Sequence, residues 1–174
     1  MEEFHTTVNT YFSSDEPSPG NGVVERRDAA KYRHRVWATR RQLWVDRVAS
    51  AWLIHRCIDP QARFLWLSSP SACPPDAVGF DFDGAEFSHL GELVSFQVLL
   101  AAFGLDEDPA LRRLGALVRC LDIGGPPVPE AAGVLALLAG ARDRCEDDDG
   151  FLQAATALLD DLRTSFEVRE AVPA

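Results

Sequence analysis

The order of apolar and polar positions predicts short strands in the first half of the chain and helices in the second. Apolar runs at 35–39, 63–67 and 77–82 are rich in branched and aromatic residues, which favour strands. Between the first two runs, the apolar positions of 46–58 recur with helical spacing until Asp59-Pro60, where a helix is expected to end. A strand, a helix and a second strand in this order predict a parallel βαβ unit.

From Ser95 onward the apolar positions follow the helical period. The predicted helices are 95–103, one that begins at Pro109 after the capping residue Asp108, 130–144 and 151–166. The predicted fold class is therefore α/β or α+β. We expect a small three-stranded sheet with a βαβ-like start, followed by about four C-terminal helices.

Composition divides the chain into a tail and one domain. Residues 1–34 contain the stretch SSDEPSPGNG and are predicted to form a flexible N-terminal tail or arm. Residues 35–170 are then a single domain that is large enough to bury a core. No apolar run reaches the length of a membrane span, and the acidic N-terminus lacks the features of a secretory signal. We therefore expect a cytoplasmic protein without a membrane partner.

The net charge of −10 argues against nucleic acid as the main partner, because phosphate contacts require basic residues in excess. The charge is unevenly distributed, since seven of the 17 basic residues fall between Arg26 and Arg41. Such an arm either binds a polyanion or folds back onto the acidic remainder of the chain. The second arrangement is the more common one, so we do not expect a nucleic-acid partner.

The helix predicted at 46–58 carries charged residues on both of its faces. On a helical wheel Asp46 and Arg47 point along the apolar face, whereas His55 and Arg56 lie on the polar face. The first pair follows a strand directly, at the sheet edge where α/β proteins form their clefts. Asp46 is predicted either to cap the helix or to contribute to a site. Arg47 requires an acid or a bound anion, because an unpaired buried charge is costly.

A second group of polar residues, FDFDGAEFSHLGE at 80–92, follows the third predicted strand. If that strand is also parallel, this segment opens on the same edge as Asp46. We expect His89 to be a catalytic acid/base that Glu86 and Asp46 orient. The alternative is a divalent metal held by His89, Glu86 and Asp122, since metals accept carboxylate and imidazole. Asp122 is included because it ends a predicted helix, where the dipole disfavours an uncompensated carboxylate. A hydrogen-bonding turn without chemistry also fits the segment.

Several motifs, in the right order, resemble the C-terminal domain of the chromate-resistance protein ChrB. They are WVDRVASAWLIHRCIDPQARFLWL, FDGAEFSHLGELVSFQVLLAAFGLDEDPALRRL, LDIGG and PEAAGVLALLAG. The resemblance covers roughly residues 36–164 and includes Asp46, Arg47, His89 and Asp122. It implies a bacterial protein linked to chromate stress, in a family that includes regulators with an added DNA-binding region and whose chemistry is poorly defined.

The sequence also departs from the pattern that this resemblance implies. The family pattern has cysteine where Val94 stands, an acid where Gln97 stands, and His-Asp where Arg119-Cys120 stands. If those family positions hold a divalent metal such as Fe or Mn, the ligand set is altered in this chain. Gln97 and Arg119 would then make the pocket better suited to an anion.

Two classes of function follow from these observations. The first is a small-molecule enzyme or ligand-binding protein, with an acid/base or metal-assisted site around His89 and Arg47. Its ligand is an anionic small molecule that Arg47, Arg119 and Gln97 contact. The alternative is an oxyanion stress-response regulator or sensor that uses the Arg-rich N-terminal arm. A degenerate domain retained for protein contacts is a third reading, and the sequence leaves a homodimer open.

Overall fold

The computed structural model describes residues 16–170, so residues 1–15 of the predicted tail lie outside the described residues. The sheet contains β1 (Val36–Arg40), β2 (Arg63–Leu67) and β3 (Val78–Gly79). Its strand order is β2-β1-β3, and both pairings are parallel. The chain therefore adds β2 on one side of the central strand and β3 on the other.

The third strand is shorter than predicted. It ends at Gly79, and Asp81 then adopts a φ of 56°, in the left-handed region. Because a strand requires negative φ, the chain turns at Asp81. The turn is held by a parallel bridge between Phe80 and Phe87.

Five α-helices complete the fold. They are α1 (Val45–Leu53, followed by a π-helical turn at Ile54–Ile58), α2 (Ser95–Ala102), α3 (Pro109–Asp122), α4 (Ala131–Arg144) and α5 (Asp148–Glu170). The mixed fold class is confirmed, with four helices after the sheet. The last helix begins earlier than predicted, at Asp148, because acids are favourable in the first turn of a helix. Among the described residues, no helix has the length and apolar content needed to cross a bilayer.

All nine residues of α1 are buried, so this helix is the centre of the core. It packs against α2, α3 and α5. The polar face predicted for its end is confirmed, because His55 and Arg56 are exposed. Arg56 Nη2 lies 2.6 Å from Asp160 Oδ2 on α5.

Two buried acids fix the ends of the β1–α1 unit. Asp59 accepts hydrogen bonds from the backbone N–H groups of His34 and Arg35, both at 2.9 Å, and from Trp37 Nε1 at 3.2 Å. Burial alone would raise the pKa of Asp59, but these hydrogen bonds outweigh it and lower the pKa. Asp148 accepts from Gln42 N at 2.7 Å, which holds the loop between β1 and α1.

The described part of the predicted tail, residues 16–34, contacts the domain. Gly20 forms a parallel bridge with Leu90, and Arg27 N donates to Ala102 O at 2.7 Å. Tyr32 packs in an aromatic cluster, with its ring centroid 5.0 Å from that of Phe103. Two bases of this segment pair with acids of the domain, Arg26 with Asp106 and Arg27 with Glu86.

Candidate metal centre

The candidate site lies at the carboxyl edge of the sheet, between β1 and β3. The chain places β2 on one side of β1 and β3 on the other, so β1 and β3 flank a topological switch point. Open α/β sheets form their ligand crevices at such switch points. Asp46 and Arg47 follow β1, and Asp81 follows β3. The predicted meeting of the two polar segments at one sheet edge is therefore present in the structure.

Asp46 connects α1 to α2. Its two carboxylate oxygens accept hydrogen bonds from the backbone N–H groups of Ser95 and Phe96, both at 2.8 Å. Val94, the residue at the N-cap position of α2, has no side-chain acceptor, so Asp46 caps that helix from another element. Ser50 Oγ also donates to Asp46 at 3.2 Å. Asp46 therefore caps α2 and does not cap its own helix, and its contribution to a functional site stays a prediction.

Arg47 and Asp81 form a buried pair. Arg47 Nε lies 3.3 Å from Asp81 Oδ2, and Arg47 Nη1 donates to the backbone oxygens of Arg41 and Gln42 at 3.0 and 3.1 Å. Ser95 Oγ donates to Asp81 Oδ1 at 2.8 Å. The acid that Arg47 requires is therefore Asp81, which the sequence analysis named only as part of the segment 80–92.

His89 brings these groups together. Its Nε2 atom lies 3.1 Å from Asp46 Oδ2, 3.4 Å from Asp81 Oδ1 and 3.6 Å from Asp122 Oδ2. The three carboxylates come from α1, the turn after β3 and the end of α3. One nitrogen is thus surrounded by three acids that are distant from one another in the sequence.

Glu16 is a further member of the cluster, and it was not predicted from the sequence. Ligand atoms of Glu16, His89 and Asp122 lie within 4.8 Å of one another, as do those of Asp46, Asp81 and His89. Both groups share His89. Glu16 lies in a stretch with the composition of a linker, so no local pattern marks it as a site residue.

Several oxygens of the cluster are buried without a hydrogen bond from the described residues. They are Glu16 Oε2, Asp81 Oδ2 and Asp122 Oδ2. A buried carboxylate oxygen without a donor is costly, and such atoms in a native fold point to an ion or a proton. Four acids here face two buried bases, Arg47 and His89, so the cluster keeps an excess of negative charge when all its acids are ionised.

This excess of acids changes the pKa values of the cluster. Burial and the Asp81 charge raise the pKa of Glu16 to about 7. Burial, together with Asp46 and Glu16, raises the pKa of Asp122 well above its ordinary value. Burial alone would lower the pKa of His89, but the hydrogen bonds to Asp46 and Asp81 outweigh it and raise the pKa to about 10. The metal-free cluster therefore holds protons at neutral pH.

The separations around His89 also match those between ligands of one metal ion. Ligand atoms about 2.1 Å from an ion are about 3.0 Å apart at octahedral angles and about 3.4 Å apart at tetrahedral angles. The contacts of His89 Nε2 with the three carboxylates span 3.1 to 3.6 Å. A single Nε2–H proton can donate one strong hydrogen bond to one carboxylate, whereas a cation bound among these groups would contact all three.

Three residues predicted to belong to the site are placed elsewhere. The expected contact between Glu86 and His89 is not present: the Glu86 carboxylate accepts from the Tyr32 hydroxyl and faces Arg27 Nε at 3.7 Å. Gln97 Oε1 accepts from Val94 N at 3.4 Å, at the start of α2. Arg119 Nη2 donates to Glu92 Oε2 at 3.2 Å. Each side chain makes its described hydrogen bond with a neighbour outside the carboxylate cluster.

A cleft of about 440 Å³ opens beside the cluster. Its lining includes His89, Glu86 and Ser88 from the loop after β3, and Ser18 and Gly20 from the N-terminal segment. Asp46, Asp81 and Asp122 are not among the residues that line it. His89 is therefore the residue that connects the cleft with the buried acids.

The raised pKa values predict a falling stability with pH for the metal-free protein. The folded state binds more protons than the unfolded state, so the free energy of unfolding falls as pH rises. The contribution of Glu16 to stability is lost as the pH rises from 4.5, the ordinary pKa of the group, to about 7. The contribution of His89 is lost as the pH rises from its ordinary pKa of 6.5 to about 10. Urea denaturation at several pH values from 5.5 to 9 in the presence of a chelator checks this. A free energy of unfolding that stays constant or rises over this range would refute the charge assignment.

The fold and the cluster define a class, an α/β domain with a buried centre of carboxylates and one histidine at a sheet switch point. The family model described as "ChrB, C-terminal domain" matches residues 37–166. Protein ChrB of Cupriavidus metallidurans is 54% identical over 164 residues, which are 94% of this chain and 51% of that protein. The chain thus spans about half the length of this relative. No solved structure matches the chain. The chain belongs to the ChrB C-terminal domain family, which confirms the resemblance seen in the sequence.

Proposed function

We propose that this domain is a small-molecule enzyme or ligand-binding protein that works with a divalent cation bound by Asp46, Asp81, His89 and Asp122. The observation that carries the proposal is the position of His89 Nε2, within 3.6 Å of three carboxylates from three elements. Asp122 Oδ2 supports it, because this oxygen is buried, accepts no hydrogen bond from the described residues and would be satisfied by a cation.

The donor set favours particular metals. Carboxylate oxygens with one imidazole suit borderline and hard divalent ions such as Mn²⁺ and Fe²⁺, whereas thiolate ligands favour softer ions. The cluster contains no cysteine among its described members. The altered family positions Gln97 and Arg119 make their described contacts outside the cluster, so the proposed ligand set does not depend on them.

The other residues of the site hold the ligands in place. Arg47 donates toward Asp81 Oδ2 and neutralises part of the acidic charge. The Ser95 backbone N–H and hydroxyl fix Asp46 and Asp81 respectively. When bound, the cation would polarise an oxygen of a small molecule or lower the pKa of a water. His89 lines the cleft, so a small molecule there would lie next to the centre.

The contacts of Arg47 favour a cation over an anion at this position. Two of its nitrogens already contact Asp81 and the backbone oxygens of Arg41 and Gln42. An oxyanion placed among four acids would meet repulsion that these satisfied donors do not offset. An anionic small molecule is therefore proposed as a ligand of the bound cation in the cleft. The oxyanion-sensor alternative gains no support from the arm, where Arg26 and Arg27 pair with acids.

Titration of Mn²⁺ into chelator-treated protein, followed by calorimetry and by thermal unfolding, tests this function. We expect saturable binding of one ion per chain, and added stability of about 2.7 kcal/mol at 100 times Kd. Affinity should rise with pH, because the ligands bind metal only when deprotonated. His89→Ala should remove the binding, and Asp143→Asn, an exposed acid on α4, should leave it unchanged. Wild-type protein that binds no Mn²⁺ or Fe²⁺ above the level of the His89 variant would refute the proposed function.

A further inference from the structure

The N-terminal segment 16–27 lies outside residues 37–166, which the family model covers, yet it contacts the candidate centre. Its backbone is tied to the loop that carries His89. Gly20 N donates to His89 O, and Gly91 N donates to Gly20 O, both at 2.9 Å. Ser18 N donates to Asp83 Oδ1 at 2.8 Å. The segment is therefore joined to His89 itself and to residues before and after it in the same loop.

The far end of the segment is attached to α2 and the loop that follows it. Arg27 N donates to the carbonyl oxygen of Ala102, the last residue of α2, at 2.7 Å. Arg26 Nη1 pairs with Asp106 Oδ1 at 3.2 Å. Between these two attachments the segment forms one wall of the cleft, with Ser18 and Gly20 facing Ser88 and His89. We use the name strap for residues 16–27.

Glu16 stands at the start of the strap, and its carboxylate reaches the cluster. A ligand oxygen of Glu16 lies within 4.8 Å of ligand atoms of both His89 and Asp122. Its Oε2 atom is buried and accepts no hydrogen bond from the described residues. Asp122 Oδ2 is also buried without a hydrogen bond from the described residues, and it lies 3.6 Å from His89 Nε2. A cation between Glu16 and Asp122 satisfies both oxygens.

We propose that Glu16 is a further ligand of the proposed divalent cation, beside His89 and Asp122, and that the bound cation holds the strap against the centre. This inference rests on the proposed function, because it assigns a further ligand to that site. It extends the functional unit beyond the residues that the family model matches. It also links occupancy of the centre to the position of the strap, and hence to the access of a small molecule to the cleft.

Two variants of the full chain test the role of Glu16. Glu16→Gln removes the charge and keeps the shape, and Glu16→Asp keeps the charge but withdraws the carboxylate from the cluster. For a ligand, we expect the Mn²⁺ dissociation constant to rise about tenfold or more in both variants. Glu146→Gln, at an exposed acid before α5, is the control for a general loss of charge and should bind like the wild type.

Tryptic cleavage after Arg26 and Arg27 reports the position of the strap. Mn²⁺ should slow this cleavage about tenfold in the wild type and should have no effect in Glu16→Gln. Wild-type protein that binds no Mn²⁺ would overturn the proposed function itself. Wild-type binding with unchanged affinity in both Glu16 variants, or with unchanged affinity in Glu16→Asp alone, would overturn the role of Glu16 as a ligand and leave the centre in place. Equal cleavage rates with and without Mn²⁺ in the wild type would overturn the claim that the cation holds the strap in place.

Discussion

Replacing Asp46 by alanine is expected to lower the free energy of unfolding by about 3–5 kcal/mol, the range found when one member of a buried charged network is removed. The carboxylate accepts from Ser95 N, Phe96 N and Ser50 Oγ and contacts His89. Without it, two backbone N–H groups at the start of α2 are buried with no acceptor, and His89 loses its shortest acidic contact. The same variant should also lose Mn²⁺ binding.

Asp108 provides the matched control for this substitution. It also caps a helix, α3, by accepting from Ala110 N at 2.9 Å and Leu111 N at 3.2 Å. It is only partly buried, so Asp108→Ala should cost about 1 kcal/mol, as an ordinary cap does. Urea denaturation of both variants in the presence of a chelator gives the comparison. Equal losses of stability in the two variants would mean that Asp46 is no more than a helix cap.

Replacing Asp122 by asparagine is expected to have opposite effects on stability and on metal binding. Its Oδ2 atom accepts no hydrogen bond from the described residues, and burial beside Asp46 and Glu16 raises its pKa. Removing this charge should raise the free energy of unfolding of the metal-free protein by about 1 kcal/mol, the size of gain typical when a strained functional site is relaxed. The Mn²⁺ dissociation constant should rise about 100-fold, because a ligand is lost.

Asp143→Asn separates this effect from that of the helix dipole. Asp122 and Asp143 both lie in the last turn of a helix, α3 and α4 respectively, where a carboxylate is unfavourable. Asp143 is exposed, so its replacement should change stability by the dipole contribution alone and leave Mn²⁺ binding unchanged. Denaturation and calorimetry of the two variants make the comparison. An Asp122→Asn protein that is less stable than the wild type, or that binds Mn²⁺ with equal affinity, would show that Asp122 has a structural role instead.

The sequence predicted the parts of the site that follow from local pattern and sheet topology. Helical spacing placed Asp46 and Arg47 on the buried face of α1, because each residue turns the helix by a fixed angle. The βαβ order then placed them at the carboxyl edge of the sheet, together with the segment that contains His89. Asp122 was found because a carboxylate at a helix C-terminus calls for compensation.

The parts that were missed depend on contacts between distant segments. The spacing of Glu86 and His89 predicted that Glu86 orients His89. The Glu86 carboxylate instead accepts a hydrogen bond from the hydroxyl of Tyr32, 54 positions earlier in the chain. Asp81 was recognised only as one acid among several, because its left-handed turn is not visible in the apolar pattern. Glu16 lies in a linker-like stretch that docks through backbone hydrogen bonds of Gly20, and backbone bonds leave no side-chain signal in a sequence.

Anomalous X-ray scattering from a crystal of the full chain prepared with Mn²⁺ tests the central claim most directly. We expect one strong peak among Asp46, Asp81, Asp122 and His89 Nε2, about 2.0–2.6 Å from the nearest ligand atoms. A crystal that shows Mn²⁺ only at surface acids, with no peak beside His89 Nε2, would contradict the proposed centre.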